Sequence, residues 1–78
     1  MWNNRGSAEE GAWMDVPVGH GDIVTLSISA LTQDKKWRLE FAGMSLGLHA
    51  TNLENAKQEA KVLVVNWLRR AEAFLMDN

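Results

Sequence analysis

The stretch 37-WRLEFAGMSLGL-48 decides the fold. Trp37, Leu39 and Phe41 alternate with Arg38 and Glu40, and Met44, Leu46 and Leu48 alternate with Ser45 and Gly47. A period of two puts each apolar set on one face of a strand. If Ala42-Gly43 is a two-residue hairpin loop, Phe41 lies opposite Met44, Leu39 opposite Leu46 and Trp37 opposite Leu48. Working back, 23-IVTLSISAL-31 is a third alternating segment: Val24, Leu26, Ile28 and Ala30 on one side, Thr25, Ser27 and Ser29 on the other. A polar loop at Thr32 to Lys35 then places Trp37 opposite Ala30, Leu39 opposite Ile28 and Phe41 opposite Leu26. All three strands present their apolar residues to one side, and a slip of one residue would destroy that agreement.

Working forward, Thr51-Asn52-Leu53-Glu54 has the form of a capping box, with Thr51 as the cap and Glu54 reaching back. No Gly or Pro follows from Leu53 to Asn78. At 100° per residue, Leu53, Ala56, Ala60, Leu63, Val64, Trp67, Ala71, Phe74 and Leu75 fall on one stripe. The expected core unites Trp37, Leu39, Leu46, Leu63 and Trp67. The fold class is therefore α+β: a three-stranded antiparallel meander packed on one long C-terminal helix, in two layers. Residues 13–18, WMDVPV, alternate as well, but Pro17 cannot donate to a ladder and confines them to a fourth, edge strand or an irregular extended piece. Gly19-His20-Gly21-Asp22 is a turn by composition. Residues 1–12 are polar, carry Gly6 and Gly11 and show no periodicity. They are expected to be a mobile lead-in to a single domain over 13–78, with Trp2 exposed.

Composition narrows the function. With 19 Leu, Ile, Val and Phe among 78 residues the chain is richer in core formers than disordered segments are. Cys is absent, which excludes disulfides and thiolate metal sites. Eight basic and ten acidic residues leave a net charge of −2, unlike a general polyanion binder. Apolar runs reach four residues, as at Val62–Val65, far short of a membrane span. No basic n-region precedes an apolar h-region, so a signal peptide is not expected and the setting is expected to be cytoplasmic.

Chemistry is sparse. His20 and His49 lie about thirty residues apart, with no third ligand spaced for a metal. Ser27, Ser29 and Ser45 fall on the polar sheet face, as ordinary strand composition does. No phosphate-binding glycine motif is present. Neither an enzyme nor a cofactor is expected. Cations do recur: Lys35, Lys36 and Arg38 at the first hairpin, and Lys57 and Lys61 one turn apart on the helix. In order and spacing, these residues resemble the second half of a double-stranded-RNA-binding domain, three strands and a helix that opens Lys-Lys-x-Ala-Lys. Here that opening reads Lys57-Gln58-Glu59-Ala60-Lys61, with Gln58 in place of one lysine and Glu59 interposed. The resemblance covers about two-thirds of the chain and implies nucleic-acid contacts at those five cations. The strand-strand-strand-helix order is also similar to HicB-type antitoxins and small phage accessory proteins. That likeness implies an inhibitor or regulator that docks on a macromolecule.

One anomaly favours a protein partner. Val62, Val65 and Met76 lie on the side of the helix away from its main stripe, with Arg69 between them, where a helix on a sheet should be polar. The helix also exceeds the sheet in length. Twenty-four residues reach about 36 Å, whereas a nine-residue strand reaches about 30 Å. Phe74, Leu75 and Met76 should overhang. These residues together predict a homodimer seam or partner face on the C-terminal half of the helix, with Arg69 or Arg70 reaching Glu72 or Asp77 of another chain.

Overall fold

The computed structural model describes residues 2–4, 11–30 and 36–77. Five strands form one antiparallel sheet in chain order: β1 (Asn3–Asn4), β2 (Gly11–Gly19), β3 (Asp22–Ala30), β4 (Trp37–Phe41) and β5 (Met44–Gly47). One helix, α1 (Leu53–Asp77), follows and lies against a single face. The class is α+β, with two more strands than the meander alone.

The meander has the register that its alternation demands. Leu26 pairs with Phe41, Ile28 with Leu39 and Ala30 with Trp37. Across the next hairpin Leu39 pairs with Leu46 and Phe41 with Met44. The Leu48 amide donates to the Trp37 carbonyl at 2.8 Å and extends the pairing past β5. Both tight turns have two residues at positive φ: His20 at 52° and Gly21 at 82°, Ala42 at 49° and Gly43 at 81°. That conformation matches the right-handed twist of the flanking strands. Gly43 takes it without cost, but the Cβ of Ala42 opposes it by about 1–2 kcal/mol.

Beyond the meander, pairing reaches further than periodicity indicated. Residues 11 and 12, grouped with the lead-in, belong to β2. Ala12 is fully buried opposite Ile28. A side chain on Gly11 would collide with the Ile28 carbonyl, so the close strand approach there requires glycine. Asn3 and Asn4 pair with Trp13 and Ala12, and Trp2 packs partly buried on the core rather than standing exposed. β1 covers only that end of β2. Pro17 sits further along, where the described residues leave the outer edge of β2 unpaired, and the ladder is irregular between Pro17 and Gly19. The loop at Thr32 to Lys35 lies outside the described residues.

The core joins Ala12 of β2, Leu26 and Ile28 of β3, and Trp37, Leu39 and Phe41 of β4 to Ala56, Ala60 and Val64 of α1. Leu63 packs on it partly buried. Trp67, at the margin, meets Phe41 edge to face at 5.8 Å and 87°. Leu46 does not belong to the core. It shares the inner face, but α1 touches β2, β3 and β4 and not β5, leaving Leu46 39% exposed. The cap also differs: Asn52 Oδ1 accepts from the Asn55 amide at 2.9 Å, so Asn52 is the N-cap in place of Thr51. Glu54 instead meets Lys57 at 3.4 Å.

Two stability predictions follow from these positions. Leu39→Ala should cost about 2–5 kcal/mol in urea unfolding, and Leu46→Ala well under half as much. Ala42→Asn, which suits positive φ, should raise the denaturant midpoint by the equivalent of about 0.5–1 kcal/mol.

Candidate functional site

α1 carries more exposed apolar surface than any strand, and its two halves differ. From Leu53 to Val64 its stripe is pressed on the sheet, with Ala56 and Ala60 fully buried. From Val65 to Asp77 every residue is exposed. That segment is thirteen residues, about 20 Å of helix. It includes Val65, Trp67 and Leu68 at 38–44% exposure, and Phe74, Leu75 and Met76 at 67–80%. Trp67 still rests on Phe41, so the overhang runs from Leu68 to Asp77, nearly three turns and longer than strand length alone implied. α1 touches β2, β3 and β4 and leaves the sheet beyond Phe41. Leu68, on the flank of the main stripe, is part of this surface and was not among the residues expected to form it.

The residues expected as an interface occupy two sides of this segment. Phe74 and Leu75 continue the main stripe beyond the sheet. Val62, Val65 and Arg69, with Gln58, Lys61 and Asn66, line a shallow groove on the outer side. Val62 is 57% exposed there. Met76 lies on that outer side too, by its spacing from Val62 and Arg69.

The cations expected to contact nucleic acid do not form one surface. Lys35 lies outside the described residues. Lys36 and Arg38 alternate with Trp37 and Leu39, whose side chains face α1, so Arg38 stands on the opposite, open face of the sheet. There its guanidinium donates to Ser45 Oγ at 3.2 Å. Glu40 shares that face, and so does Asp15, which accepts from Thr25 Oγ1 at 3.1 Å. Lys57 and Lys61 are on α1, across the sheet. Lys57 is held by Glu54 and its side chain is only 16% exposed. Two opposed faces of mixed charge do not make a track for a phosphate backbone.

Glu59, which interrupts the lysine pattern, has a structural task. Its carboxylate accepts from the His49 amide, 2.9 Å to each oxygen, and from the Ala50 amide at 2.9 Å. It ties the connection after β5 to the second turn of α1, satisfying backbone donors that no strand pairs. Among the described residues no group of three metal-binding side chains occurs. No helix among them is long and apolar enough to cross a membrane. The serines of the open face border a shallow hollow formed by Thr25, Ser27, Glu40 and Ser45 with the Ala42-Gly43 turn.

No protein-family model, curated protein or solved structure matches this chain.

Glu59→Gln keeps the size of the side chain and removes its charge. Hydrogen bonds to a charged group are worth about 1.5–3 kcal/mol, and thermal or urea unfolding should show a loss of that order. Lys61→Gln, on the exposed side of the same turn, should change stability by less than about 0.5 kcal/mol.

Proposed function

We propose that the protein is a protein-interaction module whose docking element is the C-terminal half of α1. One observation carries this reading: a continuous helical segment, Leu68 to Asp77, runs on past the contact of Trp67 with Phe41, and every residue in it is exposed, Leu68, Phe74 and Leu75 included. Full burial of one such side chain is worth about 1.5–3 kcal/mol. A domain of this size has little stability to spare, and an arrangement that leaves several of them in water is intelligible if another surface receives them. Contiguous apolar surface of this kind marks interaction sites. An amphipathic helix laid against an apolar surface, anchored at positions three and four apart, is an established recognition mode. Action as an inhibitor or regulator of a larger machine is a use to which a module that docks through one exposed helix is suited. The separation of Arg38 from Lys57 and Lys61 weighs against nucleic acid.

Two experiments test this reading. A photo-crosslinking residue placed at Leu75 should give a discrete protein adduct in cells, whereas the same residue at Thr25, on the open sheet face, should give none. No adduct at Leu75 overturns the proposal. Mobility shifts with duplex RNA should show no binding at low salt. A complex whose affinity falls steeply with salt, in the manner of several phosphate contacts, would establish the nucleic-acid reading instead.

A further inference from the structure

Resting on the reading of α1 as the docking element, we infer that its exposed half pairs with the same segment of a second copy. The two segments run antiparallel about a two-fold axis beside Glu72 and Ala73. The stripe that the sheet covers at Ala56, Ala60 and Val64 does not end with the sheet. It continues at spacings of three and four through Trp67, Ala71 and Phe74. That is the seam a second helix fills.

The flanks of the seam define the pairing. On one flank lie Leu68 and Leu75, and on the other Arg70 and Asp77, each pair seven residues apart. Two-fold symmetry about an axis perpendicular to antiparallel helices brings like flanks together. With the axis beside Glu72 and Ala73, Leu68 meets Leu75 of the second copy, and Arg70 meets Asp77 of the second copy. Ala71 faces Phe74 of the second copy, a small residue opposite a large one. Symmetry makes each contact twice. A parallel pairing fails on two counts. Its two-fold runs along the helices and brings unlike flanks together, so Arg70 faces the Leu68 and Leu75 flank of the second copy and its pairing with Asp77 is lost. It also brings the covered half of the second helix into the space held by the first sheet, because each sheet stands on the same stripe. Antiparallel pairing places the two sheets at opposite ends and leaves the ten residues Leu68 to Asp77 of each copy to overlap.

The surface is adequate for a weak dimer. At the 150–250 Å² that an aromatic side chain can bury, Trp67, Leu68, Phe74 and Leu75 leave on the order of 500 Å² per copy in water. Two copies together approach the roughly 1,000 Å² at which specific interfaces begin. Val62, Arg69 and Met76 fall on the outer side and stay outside this seam.

Sedimentation equilibrium from about 1 to about 200 µM, a range suited to a small interface, decides the matter. The wild-type chain should dimerise. Leu75→Glu should give a monomer with unchanged helical circular dichroism, since Leu75 does not touch the sheet, whereas Val62→Glu should remain a dimer. Arg70→Asp should weaken the dimer about tenfold, as the loss of two charge pairs allows. Adding Asp77→Arg in the same chain should restore it, because the swapped charges meet again across the axis. This rescue decides the pairing even if Leu75→Glu fails to fold. A wild-type monomer across the range overturns the dimer, as does a double swap that fails to rescue. The crosslinker at Leu75 separates the two levels of inference: an adduct with a different protein from a monomeric chain sinks the dimer and leaves the docking reading intact. The absence of any adduct sinks both.

Discussion

A helix can settle on a sheet only where its side chains are small enough to let it approach and the sheet beneath is apolar enough to repay the contact. In this protein that condition holds over about three turns. Ala56 and Ala60 bring α1 down onto Leu26, Ile28 and Leu39, Val64 extends the contact, and Trp67 on Phe41 closes it before α1 runs clear. The rest of the molecule follows from that seat. The sheet must offer one apolar face, which makes the register of the meander obligatory. The connection after β5 must deliver the chain to the start of the seat, and Glu59 fastens it there from the helix side. Beyond Trp67 every described residue of α1 is exposed. A 25-residue helix thus has its buried positions, Ala56, Ala60 and Val64, confined to its first half.

How much of this was legible in the sequence depended on how local the governing physics is. The pairing of Leu26, Ile28 and Ala30 with Phe41, Leu39 and Trp37 was readable because strand period and loop length over-determine it. The long helix was readable for the same reason. Asn52 and Thr51 are chemically equivalent caps one residue apart, so composition alone could not choose between them. Leu46 has the alternation of a core residue, and only the path of α1, which stops short of β5, leaves it partly in water. The Asn3–Asn4 pairing carries no periodic signal in two residues. Trp2 was the available clue there, since a large aromatic side chain in a polar segment usually has somewhere to go. The role of Glu59 was invisible because it depends on where the His49-Ala50 connection passes, which no spacing rule reports.

The same logic separates the candidate surfaces. A cation's neighbours in sequence say little about the face it occupies. Lys36 and Arg38 flank Trp37 in sequence, and the pleat turns Arg38 away from α1 and hence away from Lys57 and Lys61. The apolar residues of the helix end behave differently, because helical period is preserved whether or not anything lies beneath it. Trp67, Leu68, Phe74 and Leu75 were bound to form one surface once α1 was continuous. That surface is therefore a direct product of sequence, whereas the scatter of the basic residues is a product of topology.

Pro17 and the irregular pairing beside it have a consequence for how molecules of this kind meet. An open sheet edge is a template: its unpaired amides and carbonyls invite another strand, and repetition of that event yields fibres. Here the outer edge of β2 carries a residue without an amide hydrogen at Pro17 and a disturbed ladder next to it. The opposite edge, β5, is four residues long. Among the described residues neither margin offers a long, regular zipper to a neighbour. Growth by strand addition is thereby discouraged at both sides of the sheet, so that a crowded population of these chains is protected from open-ended pairing through its strands.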